Sequence, residues 1–212
     1  MPTYKITYLA IIIISLFLGL WQWKRANRVV QSVTILLALT LLIEFLATYS
    51  AKVYKNNLWV YHFFNPIQFF LITYCFYIEL RLKVQKISMY FVPLLFVIIS
   101  IFIQPKIFPS YSISIGFTFY ILWSLLYFRC LFTHTSERSL WSYPLFWISC
   151  GWLQFCTINL LQLGIFNFIV TSKDDINPLI TNTIFNVRVG SNILLYSCYL
   201  IAILKAKPVF KD

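Results

Sequence analysis

Seven stretches of about 20 mostly apolar residues follow one another along this chain, each long enough to cross a bilayer core roughly 30 Å thick. They run over 6 to 23, 29 to 50, 58 to 80, 87 to 104, 111 to 128, 143 to 166 and 179 to 204. Backbone facing lipid must satisfy its own hydrogen bonds, so each stretch is expected to be a helix. The connections then fall where polar residues gather: Lys24 to Arg28, Lys52 to Asn57, Arg81 to Lys86, Gln104 to Ser110, Arg129 to Ser142 and Asn167 to Asn177.

These runs occupy nearly all of the 212 residues and leave no room for a water-soluble module. Hydrophobic residues make up 60% and charged residues 11%, against roughly 45–50% and roughly 25% in a soluble domain. The expectation is an all-α membrane protein, a seven-transmembrane-helix bundle forming a single polytopic domain over 1–212.

Basic residues are retained on the cytoplasmic side, which orients the bundle. Lys24, Arg25, Arg28, Arg81, Lys83, Lys86, Arg129, Arg138, Lys205, Lys207 and Lys211 fall on one side, against Lys5, Lys52, Lys55, Lys106 and Lys173 on the other. The N-terminus is therefore expected outside and the C-terminus in, in a multi-pass protein of the cell inner membrane. Trp21, Trp23, Trp141, Tyr143 and Trp147 would form the inner aromatic belt, with Trp59 and Tyr61 at the outer interface. The net charge of +11 reads as topology signal and affinity for anionic lipid, with no nucleic-acid partner implied. The first stretch could also be a signal peptide, but Trp21-Gln22-Trp23-Lys24-Arg25 follows it in place of a small-residue cleavage site, so a retained helix is expected.

Helix punctuation is visible in places. Asn177-Pro178 reads as the start of the last helix and Ser142 with Pro144 as the start of the sixth, while Pro66 and Pro93 fall inside helices and would kink them. Cys75, Cys130, Cys150, Cys156 and Cys198 lack metal-type spacing and read as packing residues.

Polar groups at membrane depth carry most of the functional information, because a central charge costs about 2.5–3.5 kcal/mol on insertion scales and normally faces the bundle interior. The candidate ligand-binding residues are Glu44, His62, Asn65, Gln68, Asn159, Gln162, Asn186 and Arg188, with Asn182 and Asn192 nearby. His62, Asn65 and Gln68 recur every three residues and so share a face roughly 120° wide. Counting about 1.5 Å per residue from Ser50 and from Leu179 puts Glu44 about 9 Å deep and Arg188 about 13 Å deep, within reach of an intramembrane ion pair. The inner halves of the helices hold far fewer such groups, which points to a polar cavity in the outer half for a small polar or anionic ligand. The competing explanation is interhelical glue, worth about 0.6–2 kcal/mol per bond.

No Walker loop, HExxH, GxSxG or metal-ligand cluster occurs, so neither enzymatic chemistry nor a cofactor or metal is expected. A retinal protein is excluded on the same footing, since the last helix has no lysine for a Schiff base.

Leu42-Ile43-Glu44, Asn56-Asn57-Leu58-Trp59-Val60-Tyr61-His62 with Gln68 following, and Ser142-Tyr143-Pro144-Leu145-Phe146-Trp147-Ile148-Ser149-Cys150-Gly151 resemble a family of small seven-helix membrane proteins of Bacteroidetes-type bacteria, often encoded near sensor histidine kinases. The family pattern has glutamate where Gln68 stands and histidine near Asn186. The resemblance implies that Glu44, Asn57, Tyr61, His62, Trp147 and Gly151 are the positions carried over, with a sensing or receptor-like role through a cytoplasmic or membrane signalling partner such as a sensor kinase. A membrane sensor with a ligand site in the outer half is the resulting expectation. The alternative is a small-solute transporter or permease using the same cluster, which a loose echo between Ile72 to Ile78 and Leu195 to Ile201 would suit.

Overall fold

The computed structural model describes residues 3–104, 108–133, 140–172 and 178–206, and within them the side chains of all but 3–5, 166–172 and 178–182. Every regular element among the described residues is helical: α1 (Thr3–Trp21), α2 (Arg28–Val53), α3 (Leu58–Leu80), α4 (Lys83–Ile98) running into a π-helical turn (Ile99–Ile103), α5 (Ser110–Thr133), a 3-10 turn (Leu140–Ser142), α6 (Pro144–Ser172) and α7 (Pro178–Leu204). Six of these helices are long and apolar enough to cross a membrane, and Ile6–Trp21 is a shorter apolar helix. The chain is a multi-pass membrane protein.

Helix starts follow the local chemistry. The side chain of Asn27 caps α2 by accepting from the Val30 N–H at 2.9 Å, and proline opens both α6 and α7, where its missing N–H removes no helical bond. Asn177 lies outside the described residues. Helices α3 and α4 continue through Pro66 and Pro93, each of which leaves one carbonyl without its helical donor.

Six helices close a ring in the order α1, α2, α3, α5, α6, α7, with α7 returning to pack on α1. Helix α4 lies outside it, packed along α3, and reaches α5 through Phe96, which faces Gly116, and through its π turn. Its outer face shows why: Val84, Ile87, Tyr90, Phe91, Leu94 and Phe102 are all exposed apolar side chains, suited to lipid and not to a protein core.

A chain of aromatic contacts threads the interior. Phe96 of α4 meets Phe69 of α3 at 5.4 Å, Phe69 stacks on Tyr120 of α5 at 5.6 Å, and Tyr120 lies 4.7 Å from Trp152 of α6. Trp152 reaches Tyr199 of α7 at 6.4 Å, Tyr199 meets Tyr196 at 5.7 Å, and Tyr196 meets Tyr8 of α1 at 5.3 Å, all between ring centroids. Offset and edge-on pairs of this kind contribute about 0.5–1.5 kcal/mol beyond their area.

The glycines divide into packed and open positions. A Cβ added at Gly19 would overlap the Thr34 side chain, and one at Gly151 would lie 2.9 Å from the Cys198 Cβ, so α1 approaches α2, and α6 approaches α7, only because these residues are glycine. Gly164, in the last third of α6, and Gly190, at the middle of α7, are exposed on the outside of the bundle and meet no neighbouring side chain.

Candidate functional site

Glu44 is the acid at membrane depth, and its environment is assembled by three helices. Helix α2 runs to Val53, three residues beyond the Ser50 expected from the apolar run, so Glu44 sits about 14 Å from that helix end. Arg188 lies about 15 Å from the start of α7, about two turns before Tyr196, the α7 residue beside Glu44.

Glu44 and Arg188 do not form the expected ion pair. The Tyr8 hydroxyl donates to Glu44 Oε1 at 3.0 Å, and the Arg188 side chain is exposed. The reason is that α1 packs against both α2 and α7 and offers Glu44 the nearer donor. Tyr196, edge-on to Tyr8, lies beside the Glu44 carboxylate and the Thr40 hydroxyl, so Tyr8, Thr40, Glu44 and Tyr196 form one polar knot joining α1, α2 and α7. Tyr61 of α3 stands within electrostatic reach of both Glu44 and Arg188. The anion and the cation thus flank one phenol without closing on each other.

The remaining candidates divide. Asn65 and Gln68 lie within about 60° of Tyr61 around α3, at about 100° per residue. Asn65 is buried and its Nδ2 has no hydrogen-bond partner, while Gln68 is half-buried. His62 is turned toward α4, where its Nδ1 lies 2.8 Å from the Ser100 hydroxyl in the π turn, so the three-residue spacing did not put it with Asn65 and Gln68.

Asn159 and Gln162 stitch α6 to α7. Asn159 Nδ2 donates to the Phe155 carbonyl at 2.8 Å and to Ser191 Oγ at 3.1 Å, and Gln162 Nε2 donates to the Ile184 carbonyl at 3.1 Å. Ser191 in turn donates to the Arg188 carbonyl at 2.9 Å, and Asn192 Nδ2 donates to the same carbonyl at 3.0 Å. Asn186 is exposed, and the side chain of Asn182 lies outside the described residues. Of the expected set, Glu44 and Arg188 both bear on Tyr61, Asn65 and Gln68 share its face of α3, and His62, Asn159 and Gln162 serve between neighbouring helices.

Tyr8, Thr40 and Tyr196 carry no mark in a hydropathy reading, because tyrosine and threonine pass unnoticed among apolar residues. A buried phenol nevertheless needs a polar partner, and three such hydroxyls at the level of one carboxylate are the signal that could have found the knot. Among the described residues no three His, Cys, Asp or Glu side chains gather as a metal site would require. At the opposite end the Trp147 indole donates to the Trp141 carbonyl at 3.1 Å, and Trp21 and Trp141 stand exposed as interfacial anchors.

No protein-family model, curated protein or solved structure matches this chain.

Proposed function

We propose that this protein is a seven-span sensor or receptor-like module of the cell inner membrane, N-terminus outside, whose ligand is a small polar or anionic solute taken up between α2, α3 and α7. The observation that carries the reading is the open charge pair: Glu44 and Arg188, both within electrostatic reach of Tyr61 and not bonded to each other. A solute there would meet a guanidinium and a phenol as donors, one carboxylate oxygen as acceptor, and the unpartnered Asn65 Nδ2 on the same face of α3.

A ligand held by Arg188 and Tyr61 together would favour the arrangement with α7 drawn toward α3, and a tenfold preference for that arrangement would bias it by about 1.4 kcal/mol. The basic segment from Arg81 to Lys86 and the end of α7 would present the change to a signalling partner at the opposite face.

A transporter would need that opposite end to open as well. There Gly19 and Gly151 bring helix pairs into close contact, which favours the sensor. Substrate flux into vesicles containing the purified protein would reverse this preference.

The test is thermal unfolding of the wild type, Glu44→Gln, Arg188→Gln and the double variant in detergent, with and without a panel of small metabolites. A ligand-induced rise in Tm that both single variants lose is the expected outcome. Additive losses with no response to any compound would leave the two residues as parts of the bundle only.

A further inference from the structure

A second polar site stands at the other end of the bundle, on the outer face of α3. Phe70, Tyr74, Tyr77, Ile78 and Arg81 fall on one face of that helix, within about 100° of each other. Arg28, the first residue of α2, faces the end of this stripe, and a cleft of about 630 Å3 lies between them, lined by Arg28, Tyr74, Tyr77, Ile78 and Arg81. The lining holds two guanidinium groups and two phenols and no carboxylate. Glu79 belongs to another face of α3, where its charge is felt by Tyr127 of α5.

Neither arginine has an ion-pair partner among the described residues. Arg81 also holds an unusual backbone: it is the C-cap of α3 at φ 51 and ψ 30, the left-handed region in which glycine is the usual occupant. A charged residue kept in a strained conformation beside a cleft points from strain toward function. On the facing helix, the N–H groups of Arg28 and Val29 are the free donors of a first turn and add partial positive charge.

We propose that this cleft binds the phosphate of an anionic phospholipid, with Arg28 and Arg81 clamping the headgroup. Guanidinium pairs match phosphate oxygens in geometry and charge, and the phenols add neutral donors. A lipid fits better than a soluble phosphate because the stripe continues away from the charges as an apolar wall. Tyr74 stacks on Phe70 at 6.4 Å with an interplanar angle of 8°, and Phe70 meets Tyr90 of α4 at 6.0 Å. Helices α2 and α4 flank α3 here, so the stripe forms the floor of a groove running from the helix ends toward the bilayer centre. Basic pockets at the ends of transmembrane helices are where headgroups sit.

The experiment is thermal unfolding, paired with native mass spectrometry, of the full chain in uncharged detergent doped with phosphatidylglycerol, phosphatidylcholine or free glycerol phosphate. Phosphatidylglycerol is expected to raise Tm and to remain bound, with affinity falling about tenfold in Arg28→Gln and again in Arg81→Gln as one charge-assisted contact is lost in each. The variant Arg81→Gly separates binding from folding: relief of the left-handed strain should leave its Tm without lipid equal to or above that of the wild type, while its affinity for phosphatidylglycerol falls about tenfold, as in Arg81→Gln. An equal response to phosphatidylcholine, or a full response in the double arginine variant, would overturn the site. A response to glycerol phosphate as large as that to the lipid would overturn the lipid in favour of a soluble phosphate.

Discussion

Among the described residues the Tyr8 hydroxyl is the donor seen on the Glu44 carboxylate, and it sits on a helix different from the one carrying the acid. Hydrogen bonds to charged groups contribute about 1.5–3 kcal/mol, and losing one leaves a carboxylate at membrane depth without its donor. Tyr8→Phe should therefore lower Tm clearly, whereas Glu44→Gln, which keeps an acceptor for Tyr8, should cost less. Thermal melts of the two variants side by side check the order, and a larger loss in Glu44→Gln would show that the charge itself holds the helices. Residue by residue, the sequence disclosed which polar groups lie at which depth, because depth follows from rise per residue. It did not disclose azimuth. Glu44 turns to α1 and not to Arg188, and His62 turns to α4 although its spacing groups it with Asn65 and Gln68.

At the level of helices, the apolar runs correspond to the α-helices of the described residues, and the structure lengthens several of them. Helix α2 runs on to Val53, and α4 begins at Lys83 instead of 87. An apolar run measures the part of a helix immersed in hydrocarbon, while the backbone keeps its hydrogen bonds into the headgroup layer, where Lys52 and Lys83 can extend toward water. The glycines sort by what faces them, which no sequence pattern announces. Gly151→Val should lower Tm by several degrees, since even its first carbon would lie 2.9 Å from the Cys198 Cβ. Gly190→Ala should do the reverse, because it meets open space and alanine is favoured over glycine inside a helix by about 1 kcal/mol. Circular dichroism melts of both variants test the contrast between a close-packed glycine and an open one.

For the molecule as a whole, membrane class and helix count were legible because solvent chemistry leaves few alternatives to a chain this apolar. The ring order and the external place of α4 were not, since they depend on which faces meet and the hydrophobic faces here run all around most helices. Orientation rests on the uneven distribution of lysine and arginine. Reporter fusions in the 52–57 and 105–109 connections should be active outside the cytoplasm, and fusions in the 24–27 and 134–139 connections inside it; the opposite pattern would invert the proposed sensor.

The ring is closed by α1 against α7, the helices farthest apart along the chain. During synthesis at the ribosome, α1 must therefore wait in the bilayer with one flank unoccupied until the last helix arrives. Over that interval Tyr8 can already shield Glu44, since both lie on helices that insert early, whereas Tyr196 can join them only at the end. Biogenesis of this protein should thus have a late, discrete step, and any quality-control protease that inspects membrane proteins would find its opening at the vacant α7 position.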